Sequence, residues 1–268
     1  MNPSAFSGAE DSSAYLTITD LSMTFRERKQ EEEVLANIHL HVAKGEFVSI
    51  IGPSGSGKST LFHLIGGLLQ PTSGHIRLEG QEITGKVGHV SYMPQQHALL
   101  PWRTVRDNVI LPRELAGQSR AKARKESERW LARAGLGEYA RSYPHVLSGG
   151  MKQRASFIRA LLSPQELLLL DEPFGSLDEL TRLDMQRWLL DLWEEEKRSV
   201  LFITHSIDEA LLLSDRVYVF SNKPTTILRE IQVPFARPRL EELPLHPEFV
   251  ALKQEIYQSM KAERASFT

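Results

Sequence analysis

The chain contains no cysteine. That excludes disulfides, thiolate nucleophiles and cysteine-ligated metals, and it suits a reducing compartment. No apolar run approaches the roughly 20 residues that a membrane-spanning helix needs. LFHLIGGLLQ is too short, and LLSPQELLLL is interrupted by polar residues and Pro164. The opening MNPSAFSGAEDSSAYL has no basic region followed by a hydrophobic stretch, so it does not read as a secretion signal. A dominant charge of one sign is missing too: 32 Lys and Arg face 34 Asp and Glu, a formal net charge of −2. Bulk charge therefore gives no indication of a nucleic-acid partner. No internal repeat is visible. The remaining composition, 41% hydrophobic and 25% charged over 268 residues, is that of an ordinary globular chain with room for one large domain or two small ones. Any role at a membrane must come through a partner.

Residues 51–60 read IGPSGSGKST. Gly52 through Ser59 satisfy the phosphate-loop pattern of Gly, four residues, Gly, Lys, then Ser or Thr. EFVSI before it predicts a strand and TLFHLIGGLL after it a helix, which is the context this chemistry needs. The loop Gly52, Pro53, Ser54, Gly55, Ser56, Gly57, continuing through Lys58, Ser59 and Thr60, can surround a phosphate with backbone N–H groups and a helix start. Lys58 would reach the β- and γ-phosphates, and Ser59 would offer a hydroxyl to Mg²⁺. A bare Gly/Ser turn opening a helix is the plain alternative.

Around this loop the pattern predicts an α/β chain. Residues 1–13 are expected to be a flexible tail. YLTITDLSMTF and VLANIHLHVAKGEFVSI alternate like strands, separated by the charge-dense RERKQEEE, most simply a solvated hairpin loop. The helix after Lys58 is expected to stop near Gln70–Gly74, where QPTSG supplies Pro and Gly. A mostly helical block, about 96–162, then interrupts the core, with a bend at Pro112. ELLLLDEP and SVLFITHS read as buried strands, with TRLDMQRWLLDLWEEEKR as a helix between them. This alternation argues a mainly parallel sheet with helices on both faces. The core domain is expected over 14–235, with a proline-rich extension and closing helix over 236–268.

Three further segments carry a resemblance: MPQQHALLPW (93–102), LSGGMKQR (147–154) and LLLLDEPFGSLD (167–178). With GPSGSGKST and the THS around His205, they resemble the ordered motif set of ATP-binding-cassette (ABC) ATPase subunits, from about Tyr15 to the C-terminus. The resemblance implies a P-loop NTPase fold of ABC type: a mainly parallel core sheet, an antiparallel β subdomain and an inserted helical subdomain. It implies ATP and Mg²⁺ as ligands. Asp171 would hold Mg²⁺ with Ser59, and Glu172 would polarise the attacking water. His205 would contact the γ-phosphate. Gln95, taken over its neighbour Gln96 because QHALLPW follows it as in the family, would approach Mg²⁺ and the water. Phe25 would stack on the base, or else belong to the core.

The resemblance also implies a head-to-tail pair of chains. Ser148, Gly149 and Gly150 of one copy would cover ATP held by Lys58 of the other, with Asp178 at the same interface. Integral membrane permease subunits and, indirectly, an extracytoplasmic solute-binding protein are the implied partners, with the ATPase peripheral on the cytoplasmic face of the plasma membrane. ALLPWRTVRDNV is similar to the segment of importers for nitrate, sulfonate, taurine and pyrimidine thiamine precursors. Trp102 in that segment either docks the permease or pins the helical block to the core. An ABC ATPase of another transport system, or a regulatory or scaffold ATPase outside transport, is the alternative reading.

Overall fold

Alternation in the first strands has a direct outcome. In the computed structural model, which describes residues 14–27, 30–175, 177–239 and 242–265, β1 (Ala14–Glu27) and β2 (Gln30–Ala43) pair antiparallel along their length. The expected tail 1–13 and Ser176 lie outside the described residues. Leu16, Ile18 and Leu21 of β1, with Leu35, Ile38, Leu40 and Val42 of β2, are buried. The charge-dense stretch 26–33 is largely strand, not loop: Phe25 pairs with Glu32 and Arg26 with Glu31. Glu31, Glu32 and Glu33 stay exposed. Strand pairing thus leaves their charges in water, and composition alone does not separate a solvated strand from a solvated loop.

β3 (Phe47–Ile51) follows a turn at Lys44–Gly45 and feeds the phosphate loop and α1 (Lys58–Ile65). This helix ends earlier than Pro71 and Gly74 suggest. Gly67 adopts φ 71°, and the N–H groups of Gly66, Gly67 and Leu68 close onto the carbonyls of Phe62, Leu64 and His63. The left-handed glycine satisfies the last carbonyls at once, so the helix has no reason to continue. β4 (Ser73–Leu78) and β5 (Gln81–Glu82) complete an antiparallel sheet in the order β2-β1-β4-β5.

β6 (Ser91–Met93) enters a second sheet. The chain then forms α2 (Val105–Val109), α3 (Leu111–Leu115), α4 (Arg120–Arg133) and α5 (Gly149–Leu161) before β7 (Leu167–Asp171). The break between α2 and α3 falls at Ile110, just before Pro112. β6 and β7 lie side by side and parallel, so the helical segment is an insertion in one crossover. α6 (Glu179–Glu196), β8 (Ser199–Ile203), α7 (Ile207–Leu213) and β9 (Arg216–Phe220) continue the alternation. β10 (Ile227–Gln232) closes the edge antiparallel, giving β10-β9-β3-β8-β7-β6. α8 (Pro247–Ala265) packs Phe249 and Ile256 against α7 and β9.

The core strands β3, β7, β8 and β9 are buried at every residue, as a parallel sheet covered on both faces requires. Their alternate residues feed different cores. Val48, Ile50, Leu167, Leu169, Leu201 and Ile203 meet α1 and the antiparallel sheet. Phe47, Leu168, Leu170, Val200 and Phe202 meet α5 and α6. The carboxyl ends of β3, β7 and β8 thereby converge beside the start of α1.

One buried side chain organises the entry to the helical insertion. Asn108, fully buried on α2, accepts from Leu100 N–H at 2.7 Å. It also donates to the carbonyls of Leu100, Arg103 and Thr104 at 3.0–3.1 Å. Asn108→Ala leaves these backbone groups without partners in a dry site. The expected loss is about 1–3 kcal/mol of stability, read as a lower urea midpoint with an unchanged slope. An unchanged midpoint would contradict this role.

Candidate functional site

The phosphate loop is shaped by close approach. A Cβ on Gly52 would lie 2.8 Å from the Phe220 Cβ. Gly57, the residue before α1, has φ 89° and would bring a Cβ within 2.6 Å of Val34. Both positions therefore require glycine. Thr225, fully buried, donates to Ser56 O at 2.5 Å, while its backbone bonds Val34 and Ala36. The loop is thus stitched to β2 and to the turn after β9.

Lys58 is only 6% exposed. Its ammonium donates to Gly52 O at 3.0 Å and Pro53 O at 2.7 Å. Burial pushes its pKa below the ordinary lysine value, and the charges of Glu172 and Asp171 oppose that shift. Asp171, at the end of β7, is buried and its pKa is pushed up by desolvation. Its carboxylate hydrogen-bonds Ser59 and accepts from Tyr92 Oη at 3.3 Å.

Glu172 departs from ordinary backbone geometry, with φ 43°. A non-glycine residue held left-handed costs on the order of 1–3 kcal/mol and needs outside support. Its N–H donates to Ile203 O at 3.0 Å, and its carbonyl accepts from Gly175 N–H. The result is a carboxylate aimed off the strand. Its Oε2 accepts from Gln95 Nε2 at 3.1 Å and lies 3.7 Å from His205 Nδ1. Of the two adjacent glutamines, Gln95 is the one with this bond.

A cavity of about 520 Å³ opens over these groups. Ser54, Gly55, Ser56, Gly57, Lys58, Ser59 and Thr60 line it together with Gln95 and Glu172. Phe25 stands on its rim, 36% exposed, so it is not a core residue. Glu32 and Lys223 also line the cavity and bond each other at 2.8 Å. Sequence reasoning missed them: Glu32 lay in a stretch read as loop, and Lys223 has no motif around it. Pro53 contributes a carbonyl to Lys58 rather than a wall.

Ser148, Gly149, Gly150 and Asp178 do not line this cavity. They form a second group. Ser148 caps α5, accepting from Met151 N–H at 3.3 Å, and Asp178 caps α6, accepting from Thr181 N–H at 3.0 Å. Hydrogen bonds from Thr181 hold the Asp178 carboxyl below the usual range. A Cβ on Gly150 would lie 3.0 Å from Thr181, so the two helix starts are neighbours. Trp102 is 71% exposed, which overturns the reading that it pins the helical insertion to the core. Leu99 does that packing instead. The neighbouring Arg103 is paired with Glu114 at 2.6 Å.

Behind His205 lies a buried network. Glu209 accepts from Thr204 Oγ1 and from Gln186 Nε2, the latter at 3.1 Å. Burial pushes the Glu209 carboxyl above the ordinary glutamate value, against the Thr204 hydrogen bond and the Arg182 charge. The folded chain therefore holds this proton to higher pH than the unfolded chain does. The associated stability is present below the ordinary glutamate value and is lost as pH rises through the raised one. Glu209→Gln removes the titration. In urea unfolding, the stability of that variant relative to the unchanged chain is expected to rise from about pH 4 to neutrality. A difference independent of pH would contradict it.

Comparison with known proteins agrees with this geometry. A family model described as ABC transporter matches residues 35–175. The formylaminopyrimidine import ATP-binding protein ThiZ of Halalkalibacterium halodurans is 46% identical over 82% of this chain and 84% of its own. The nitrate import ATP-binding protein NrtD of Synechocystis is 40% identical over 95% of this chain and 98% of its own. A dimeric bacterial ABC transporter cassette, MJ0796, superposes with a TM-score of 0.73 at 30% identity, covering 82% of this chain and all of that one. A glycine-shaped phosphate loop, a buried lysine and an off-strand carboxylate thus occur in a chain that belongs to the ABC transporter ATP-binding family.

Proposed function

We propose that this chain hydrolyses ATP to energise import of a small solute through a separate membrane permease. The observation that carries the reading is the convergence of Gln95 and His205 on Glu172, across the cavity from Lys58. Lys58 neutralises the β- and γ-phosphates. Glu172 accepts a hydrogen bond from the attacking water, with Gln95 and His205 fixing its direction. Phe25 on the rim supplies a stacking face for the base. The donor set suits Mg²⁺: the Ser59 hydroxyl and Asp171 carboxylate are hard oxygens already in contact, and Gln95 lines the same cavity as Ser59. Bound there, Mg²⁺ would neutralise charge on the phosphates.

Ser148, Gly149, Gly150 and Asp178 are absent from the lining of this cavity, and that supports a role on the nucleotide of a second copy, head to tail. α5 opens at Gly149 and Gly150, and the first-turn N–H groups of a helix have no partner within it, which suits an anion. Permease contact is assigned to the exposed Trp102 and to a cleft of about 550 Å³ running from Gln95 to Pro101. Among the described residues, no helix is long and apolar enough to cross a membrane. Attachment to the cytoplasmic face is therefore assigned to the permease. The solute is of the nitrate, sulfonate, taurine or pyrimidine-precursor class, delivered by an extracytoplasmic binding protein, because ALLPWRTVRDNV is similar to that group and two relatives bear nitrate and formylaminopyrimidine import names.

Glu172→Gln keeps the shape of the side chain and removes its charge. ATP binding should persist while single-turnover hydrolysis in the assembled transporter falls at least ~100-fold. Near-normal hydrolysis would remove Glu172 from this role.

A further inference from the structure

Gln153 and Arg154 close the LSGGMKQR segment, and the chemistry above uses neither. Arg154 has a packing role: it reaches Met185 Sδ at 3.2 Å and Ala134 O at 3.3 Å, tying α5 to α6 and to the end of α4. Gln153 is different. It is 1% exposed, and its Nε2 donates to the carbonyl of Pro173, the residue directly after Glu172. A carbonyl only accepts, so this bond fixes which end of the amide faces the turn.

The same helix holds the other segment that meets Glu172. Ser156 Oγ donates to His97 O at 2.7 Å. Arg159 donates to Ala98 O at 2.6 Å and to His97 O at 3.0 Å. The His97 ring also hydrogen-bonds the Gln153 side chain. α5 thus grips the loop after Gln95 through Ser156 and Arg159, and the turn after Glu172 through Gln153. Glu172 has φ 43°, and such a backbone persists only where its surroundings hold it. Its own N–H and carbonyl are bonded to Ile203 and Gly175. The next carbonyl along the chain is the one Gln153 takes.

We infer that Gln153 is a positioning residue for Glu172: it anchors the turn after that carboxylate to the helix that begins at Ser148. Seating of α5 on a nucleotide held by a second copy then sets the aim of Glu172 in the chain's own cavity. The inference rests on the reading of Glu172 as the group that polarises water.

Gln153→Leu removes the donor while keeping most of the volume. Gln153→Glu keeps the shape and puts an oxygen where the donor was. Both are made in the full chain, alone and combined with Glu172→Gln, and assembled with the permease. Each single variant should bind ATP within about twofold of the unchanged chain, keep KM, and lose at least about tenfold in kcat. Added to Glu172→Gln, neither should lower the residual rate further, because the residue it positions is already disabled. Losses that multiply in the double variant would overturn the inference. So would an unchanged kcat in a folded variant, or weakened ATP binding with kcat retained. Failure of both variants to fold would make Gln153 a core residue and overturn it equally. Near-normal turnover in Glu172→Gln alone is a separate result: it defeats the reading of Glu172 and takes the inference with it.

Discussion

A buried ammonium facing two carboxylates is the constraint around which the molecule is arranged. Lys58 is almost out of water, yet burial disfavours its charge. Two things keep it in place: loop carbonyls at 2.7 and 3.0 Å, and the negative charge of Asp171 and Glu172 nearby. The loop can present those carbonyls only because Gly52 and Gly57 admit neighbours that a Cβ would displace. The carboxylates arrive only because β7 lies beside β8 and one strand from β3, with all three running in the same direction. The parallel sheet is thus what brings opposite charges from distant parts of the sequence to one edge.

Polarity in the adjoining layers follows from the same edge. Asp171 faces inward to Ser59 and Tyr92, whereas Glu172, turned left-handed, faces the cavity. Two consecutive acids therefore have separate environments. His205 stands at the end of β8, more than half exposed, with Thr204 and Glu209 buried beneath it. The helical insertion adds a third layer, because α5 reaches back to the loops on either side of Glu172.

Much of this was legible in the sequence, for physical reasons. GPSGSGKS between an apolar strand and an apolar helix fixes both the loop and its direction. LLLLD and SVLFI are too uniformly apolar to be anything but doubly covered strands, and each is followed by its polar site residue. Other features were not legible. Gly66–Gly67 ended α1 before the proline did, since a left-handed glycine closes a helix by hydrogen bonds that no composition rule counts. Glu32 and Lys223 meet across the cavity although 191 residues apart, and no local pattern marks such a pair. Trp102 could have been read either way, because tryptophan serves equally in cores and at interfaces. Gln153 was visible as part of a motif, but its partner is a backbone carbonyl, and sequence carries no sign of that.

In the head-to-tail arrangement proposed for this chain, Ser148, Gly149 and Gly150 of a second copy complete each cavity. The absence of native cysteine makes it directly measurable. Ser54 is exposed on the phosphate loop, and a side chain at Gly149 would meet nothing within 4 Å, so both accept a thiol. One copy carries Ser54→Cys and the other Gly149→Cys, each in the Glu172→Gln background, and the mixture is oxidised with and without ATP. A covalent dimer of twice the chain mass should form with ATP and not without it. No ATP-dependent crosslink between copies, or a ready crosslink within a single chain bearing both substitutions, would contradict it.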